Sequence, residues 1–136
     1  MIVKNLNWPD ESATREFASR LADYWQQHPD SANLLVLLHG DLGATYAVVE
    51  PYVTPCVQVW HFDFYRFADP QEWEDAGLRD IFATPGLKLV EWPDKAGDLL
   101  PQPDWIIRLS SDVDEVRHIT LEALTPRGVT LMQEAT

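Results

Sequence analysis

Residues Leu34 to Leu38 read Leu-Leu-Val-Leu-Leu, and a polar His-Gly-Asp follows at once. An unbroken apolar run of this length leaves no face for water. It predicts a strand buried on both faces of a parallel sheet, and such a sheet must carry helices on both sides. Every other element of the chain has to be compatible with that arrangement.

The flanking pattern is compatible. Met1 to Leu6 predicts a short edge strand. Asp10 to Ser12 is a cluster of capping and acidic residues of the kind that opens a helix. Phe17, Leu21 and Trp25 then recur at helical spacing up to His28 and Pro29. Val57 to Tyr65 is rich in β-branched and aromatic residues and predicts a strand. Asp69 as N-cap, Pro70 in the first turn and Glu72 predict a helix to about Ala83, ending before Pro85-Gly86. Leu87 to Trp92 predicts a further strand, and Pro93 to Pro103 a loop. Trp105 to Leu109 and Val116 to Leu121 predict antiparallel partners. Arg127 to Glu134 fits helix and strand equally. Strands alternating with helices argue an α/β fold around a largely parallel sheet.

With 136 residues, the expectation is one domain spanning 1–136. Cys56 is the only cysteine, so neither a disulfide framework nor a cysteine-based zinc site can be built, and a reducing cytoplasmic location is expected. The amino terminus has no apolar stretch of signal-peptide type. The formal charge of −12 opposes tight direct binding of nucleic acid by this chain alone. The four histidines, His28, His39, His61 and His118, are scattered and give no zinc spacing.

Three segments could carry chemistry. The first is Gly40-Asp41-Leu42-Gly43-Ala44, directly after the apolar run. A phosphate-binding loop reads Gly, four residues, Gly-Lys, then Ser or Thr, after such a strand. Here Thr45-Tyr46-Ala47 stands where Gly-Lys-Thr belongs. Taken alone, the segment reads better as an ordinary glycine turn after a strand. The second is His61 to Arg66. On a strand, His61, Asp63 and Tyr65 share one face and Phe62 and Phe64 the other. Asp63 falls near the carboxyl end of its strand, where open α/β sheets bind ligands. It reads as a carboxylate holding Mg²⁺ through water, or as a solvated edge acid paired with Arg66. The third is Leu89-Val90-Glu91-Trp92-Pro93. Glu91 ends an apolar strand and could orient a water or complete a metal shell, or be a plain rim acid. Trp92 could stack on an adenine, although core packing is the better reading for that residue alone.

As a set, HGDLGA, TYAVVEPY, HFDFYRFADPQEWEDAGLRD and LVEWPDKAGDLLP resemble the TsaE family from roughly Asp10 to Leu109. The resemblance implies a P-loop NTPase-like three-layer domain, with a mainly parallel sheet and antiparallel strands near the C-terminus. It implies an ATP-binding, ATP-hydrolysing, magnesium-dependent subunit needed to form threonylcarbamoyladenosine in tRNA. TsaD and TsaB would be its protein partners, with tRNA met only through their complex. By position, Gly40, Asp41, Leu42, Gly43 and Ala44 match the first part of the phosphate loop. Thr45 matches the end of a switch-like segment. Asp63 and Glu91 match the family's essential acids, in catalytic and metal-binding roles, and Trp92 a residue near the nucleotide. A small P-loop kinase is an alternative, but no arginine-rich lid is visible. A non-catalytic partner-binding protein is another, should the loop be truly deleted.

The resemblance also expects the end of the phosphate loop and a helix between Ala44 and Thr45, roughly 20 residues on the scale of a βαβ unit. Here the two residues are joined directly, with family-like sequence intact on both sides. That favours a segment left out of the sequence over gradual drift. Parallel strands on either side of the join would also need a crossover. The expected intact mass of the cellular product is therefore about 2 kDa above 15.6 kDa. Mass spectrometry giving 15.6 kDa would refute this.

Overall fold

A computed structural model describes residues 1–40, 49–53, 57–65, 69, 71–72, 77–114 and 116–136, with backbone alone for 49–53. The apolar run forms strand β2 (Leu35–His39). It lies inside a seven-stranded sheet together with β1 (Ile2–Trp8), β3 (Val49–Val53), β4 (Gln58–Asp63), β5 (Leu87–Glu91), β6 (Trp105–Ser111) and β7 (Arg117–Ala123). Their order across the sheet is β1-β7-β6-β2-β5-β4-β3. β6, β2, β5 and β4 run parallel, as the apolar run requires. Antiparallel strands complete both sides, β7 and β1 on one and β3 on the other.

Alternation along β2 separates two cores. Leu34 and Val36 join Leu21 of α1 (Glu11–Gln27) and Leu131 and Met132 of α3 (Pro126–Ala135). Leu35 and Leu37 join Phe62, Phe64, Val90 and Ala96, with Ile81 and Phe82 of α2 (Arg79–Ala83) against them. The result is helix, sheet, helix, the three layers expected. Asp10 caps α1 by accepting from the Ala13 N–H at 2.9 Å, as its sequence signal requires.

Four expectations need adjustment. The helix after Asp69 is not continuous. Asp69 does accept from the Gln71 N–H, but Gly77 lies at φ +69, outside helical space, and α2 starts only at Arg79. The loop after Trp92 contains a 3₁₀ segment, Pro93–Leu99, kinked at Gly97 and anchored by the fully buried Ala96. The tail is a helix, because Thr125 caps it and Pro126 opens it. Finally, β3 runs opposite to β2, because it pairs antiparallel with β4. The end of β2 and the start of β3 thus share one edge of the sheet. No crossover is needed between them, and a linker the length of residues 40–48 reaches roughly 30 Å. The fold itself does not demand a longer connection.

Asp104 ties the start of β2 to α3. One carboxylate oxygen accepts from the Leu35 N–H at 2.9 Å, and the other from the Thr125 hydroxyl at 2.6 Å. Gly128 lets α3 close onto this joint: a Cβ there would meet the Asp104 carbonyl at 2.4 Å and the Trp105 ring at 3.0 Å. In a free helix Gly→Ala stabilises by about 0.5–1 kcal/mol. Here Gly128→Ala should destabilise, by about 1–3 kcal/mol as for overpacked cores. Denaturant unfolding of that variant checks the sign.

Candidate functional site

Because β2, β5 and β4 are parallel, their carboxyl ends lie at one edge. Register places Leu38 opposite Glu91, and Glu91 opposite Asp63. The alternation of β4 buries Phe62 and Phe64 completely in one core and turns His61 and Asp63 to the other side. Two acids 28 positions apart in sequence thus become neighbours on one face, two residues along from where β2 delivers Gly40.

Both acids are buried: Asp63 is 4% exposed and Glu91 5%. Asp63 is therefore not the solvated edge acid of the alternative reading. Its Oδ1 accepts from the Tyr65 N–H at 3.0 Å, which turns the chain at the end of β4. The Glu91 carbonyl accepts from the Phe64 N–H at 3.1 Å, fixing the two strand ends together. Glu91 Oε2 lies 2.7 Å from His61 Nε2. Burial pushes the Glu91 carboxyl above the usual carboxylate range. The His61 hydrogen bond pulls it back in part, and the neighbouring Asp63 charge pushes it up again.

Trp92 is not a core residue. It is 41% exposed, and its ring lies tilted against exposed Tyr65 at 5.1 Å. Its backbone is left-handed, φ 56 and ψ 48, a conformation costly for a bulky side chain. The following Pro93 is buried, so the turn holds the backbone while the indole faces outward. Gly40 is at φ +130, and a Cβ there would meet the Leu109 carbonyl at 2.5 Å, so only glycine fits. Asp41, Leu42, Gly43, Ala44 and Thr45 lie outside the described residues, as does Arg66.

The structure therefore brings together Asp63, Glu91 and Trp92, with Gly40 ending the adjacent strand. His61 and Tyr65 join them. Sequence reasoning placed both on the face of Asp63 but gave neither a role. The signal for His61 was its spacing of two from Asp63, which becomes informative only once Glu91 is known to lie on the next strand. Among the described residues no group of three or more His, Cys, Asp or Glu side chains could hold a metal ion. The two carboxylates suit Mg²⁺, which keeps most of its waters and takes one or two protein acids plus phosphate oxygens. No described helix is long and apolar enough to cross a membrane.

The family model for threonylcarbamoyl adenosine biosynthesis protein TsaE matches residues 44–119. The chain belongs to the TsaE family. The tRNA threonylcarbamoyladenosine biosynthesis protein TsaE of Haemophilus influenzae is 32% identical over 142 positions, covering 88% of this chain and 89% of that protein. TsaE of Rickettsia bellii is 28% identical over 137 positions, covering 82% and 91%. A crystal structure of Bacillus subtilis YdiB superposes with a TM-score of 0.67 at 23% identity, covering 99% of this chain and 96% of that one. It shares the fold.

These alignments carry a length difference. The Haemophilus alignment of 142 positions uses 88% of 136 residues, about 120, so about 22 positions face no residue here. The same subtraction for the Rickettsia protein, 137 less about 112, gives about 25. Both match in number the roughly 20 residues expected between Ala44 and Thr45. The family match takes up the chain at residue 44, at that join.

A raised carboxyl has a definite effect on stability. Folding takes up a proton at Glu91 more readily than the unfolded chain does, so this group favours the folded state at acid pH. That contribution is lost as pH rises from the ordinary carboxylate range through the raised value. Glu91→Gln, which keeps the shape without the charge, should melt higher than the parent protein at pH 7. The gap should close as the pH falls below the carboxylate range. Paired melting curves across pH check both the sign and the window.

Proposed function

We propose that this protein is the nucleotide-handling subunit of tRNA threonylcarbamoyladenosine biosynthesis, binding and hydrolysing ATP with Mg²⁺ and acting with TsaD and TsaB. Family membership supports the pathway, since the curated relatives carry that role in their names. The observation that carries the chemistry is the pairing of Asp63 with Glu91 at the carboxyl ends of adjacent parallel strands, next to the strand that ends at Gly40.

In this reading Asp63 holds Mg²⁺ through water, its carboxylate oriented by the Tyr65 N–H. Bound there, Mg²⁺ would supply positive charge to phosphate oxygens. Glu91 positions a water, and His61 holds the Glu91 carboxylate in place through the 2.7 Å contact. Gly40, Asp41, Leu42, Gly43 and Ala44 offer backbone N–H groups to phosphate, and Trp92 with Tyr65 offers an aromatic surface beside it. The residues fit the metal better than the phosphate. A phosphate loop relies on a lysine reaching the β- and γ-phosphates, and residues 40–48 contain no lysine or arginine. That composition favours a second reading for the 136-residue chain by itself: it docks on its partners without hydrolysing ATP.

One experiment separates the two. Isothermal calorimetry on a mass-verified 136-residue chain should show MgATP binding weaker than micromolar. Micromolar binding would remove the second reading. Restoring a family-length loop should bring ATPase activity, and Asp63→Asn or Glu91→Gln in that protein should abolish most turnover while leaving the fold intact. Near-normal hydrolysis by either variant takes that residue out of the mechanism.

A further inference from the structure

The opposite edge of the sheet, where the parallel strands begin, holds a second cluster that the nucleotide reading does not use. Lys88, near the start of β5, is 4% exposed, which is rare for lysine. It lines a cavity of about 130 Å³ with Arg127, Asp104, Asn33 and Gln102. That volume equals about four waters at ~30 Å³ each, or one small tetrahedral ion with little room over.

The Asp104 and Asn33 acceptors at this cavity are already engaged. Asp104 takes the Leu35 N–H and the Thr125 hydroxyl, and the Arg127 guanidinium stands 3.6 Å from its Oδ1. Asn33 Oδ1 accepts from the Gly86 N–H at 3.2 Å. The Thr84 carbonyl accepts from the Lys88 ammonium. The donors are in excess. Lys88 has three N–H groups and, among the described residues, one such partner; Arg127 has five, and the side-chain amides of Asn33 and Gln102 add more. Two cations and one carboxylate leave a net positive charge, on a chain whose formal charge is −12. Burial first, and then the nearby Arg127 charge, lower the proton affinity of Lys88, and the Asp104 carboxylate offsets this only in part, so a further anion in the cavity would relieve the remainder.

We infer that this cavity is a binding site for a small tetrahedral oxyanion of the phosphate or sulfate type. Its oxygens accept from the buried Lys88 ammonium and from the Arg127 guanidinium, with Asn33 and Gln102 at the rim. The site lies at the far edge of the sheet from Asp63 and Glu91, so it is independent of the nucleotide reading.

The test is thermal unfolding of the full chain in sodium phosphate against sodium chloride at matched ionic strength. Binding at several times the dissociation constant should raise the midpoint by about 3 °C in phosphate. Arg127→Gln, at a largely exposed side chain, should fold and lose that rise, and Lys88→Met should lose it as well. Asp63→Asn should retain it. A general salting effect of phosphate would persist in every variant. No phosphate-specific rise, a rise that survives Arg127→Gln, or one that disappears in Asp63→Asn would each overturn the inference.

Discussion

The fold depends on β2 having no solvent-facing side. Its backbone is paired on both edges, with β5 and with β6. Its side chains enter a different core on each face. Such a strand can exist only with helices above and below and parallel neighbours beside it. Parallel neighbours, in turn, bring their carboxyl ends to one edge. The meeting of Asp63 and Glu91 follows from that geometry together with the length and register of β4 and β5.

Much of this was legible in the sequence because burial writes a simple pattern. The apolar run, the amphipathic spacing of α1 and the Asp10 cap each specify one local structure. The alternation of His61 to Phe64 places two phenylalanines on one face and two polar residues on the other, and the phenylalanine face is the buried one. The differences have separate origins. The direction of β3 is set by its pairing with β4, and nothing within Val49–Val53 encodes it. Trp92 reads as a core residue by composition, but a left-handed turn before a buried proline carries it outward. The tail helix is specified by Thr125 as cap and Pro126 in the first turn, a local signal that does not depend on apolar periodicity.

Buried acids in one chain need not share a purpose, and their partners tell them apart. Asp104 accepts from a backbone N–H and a hydroxyl and faces a guanidinium, which is how a structural carboxylate is accommodated. Glu91 is equally hidden, yet among the described residues its side-chain hydrogen bond is to His61, and Asp63 stands nearby with charge of the same sign. Two neighbouring carboxylates in a buried place oppose folding more than they assist it. In the proposed reading a cation and a phosphate, rather than stability, account for a sheet edge that keeps such a pair.

The same electrostatics set the condition for nucleotide binding. ATP carries several negative charges, and the chain presents it with two acids at this edge and no lysine or arginine between Gly40 and Val48. Mg²⁺ can offset the acids, but it cannot also replace the loop lysine, because its coordination is shared between the carboxylates, water and phosphate oxygens. Backbone N–H groups supply only partial charges. In the proposed reading, positive charge that residues 40–48 do not supply is therefore what would separate a protein that turns over ATP from one that keeps the acids in place and binds its partners alone.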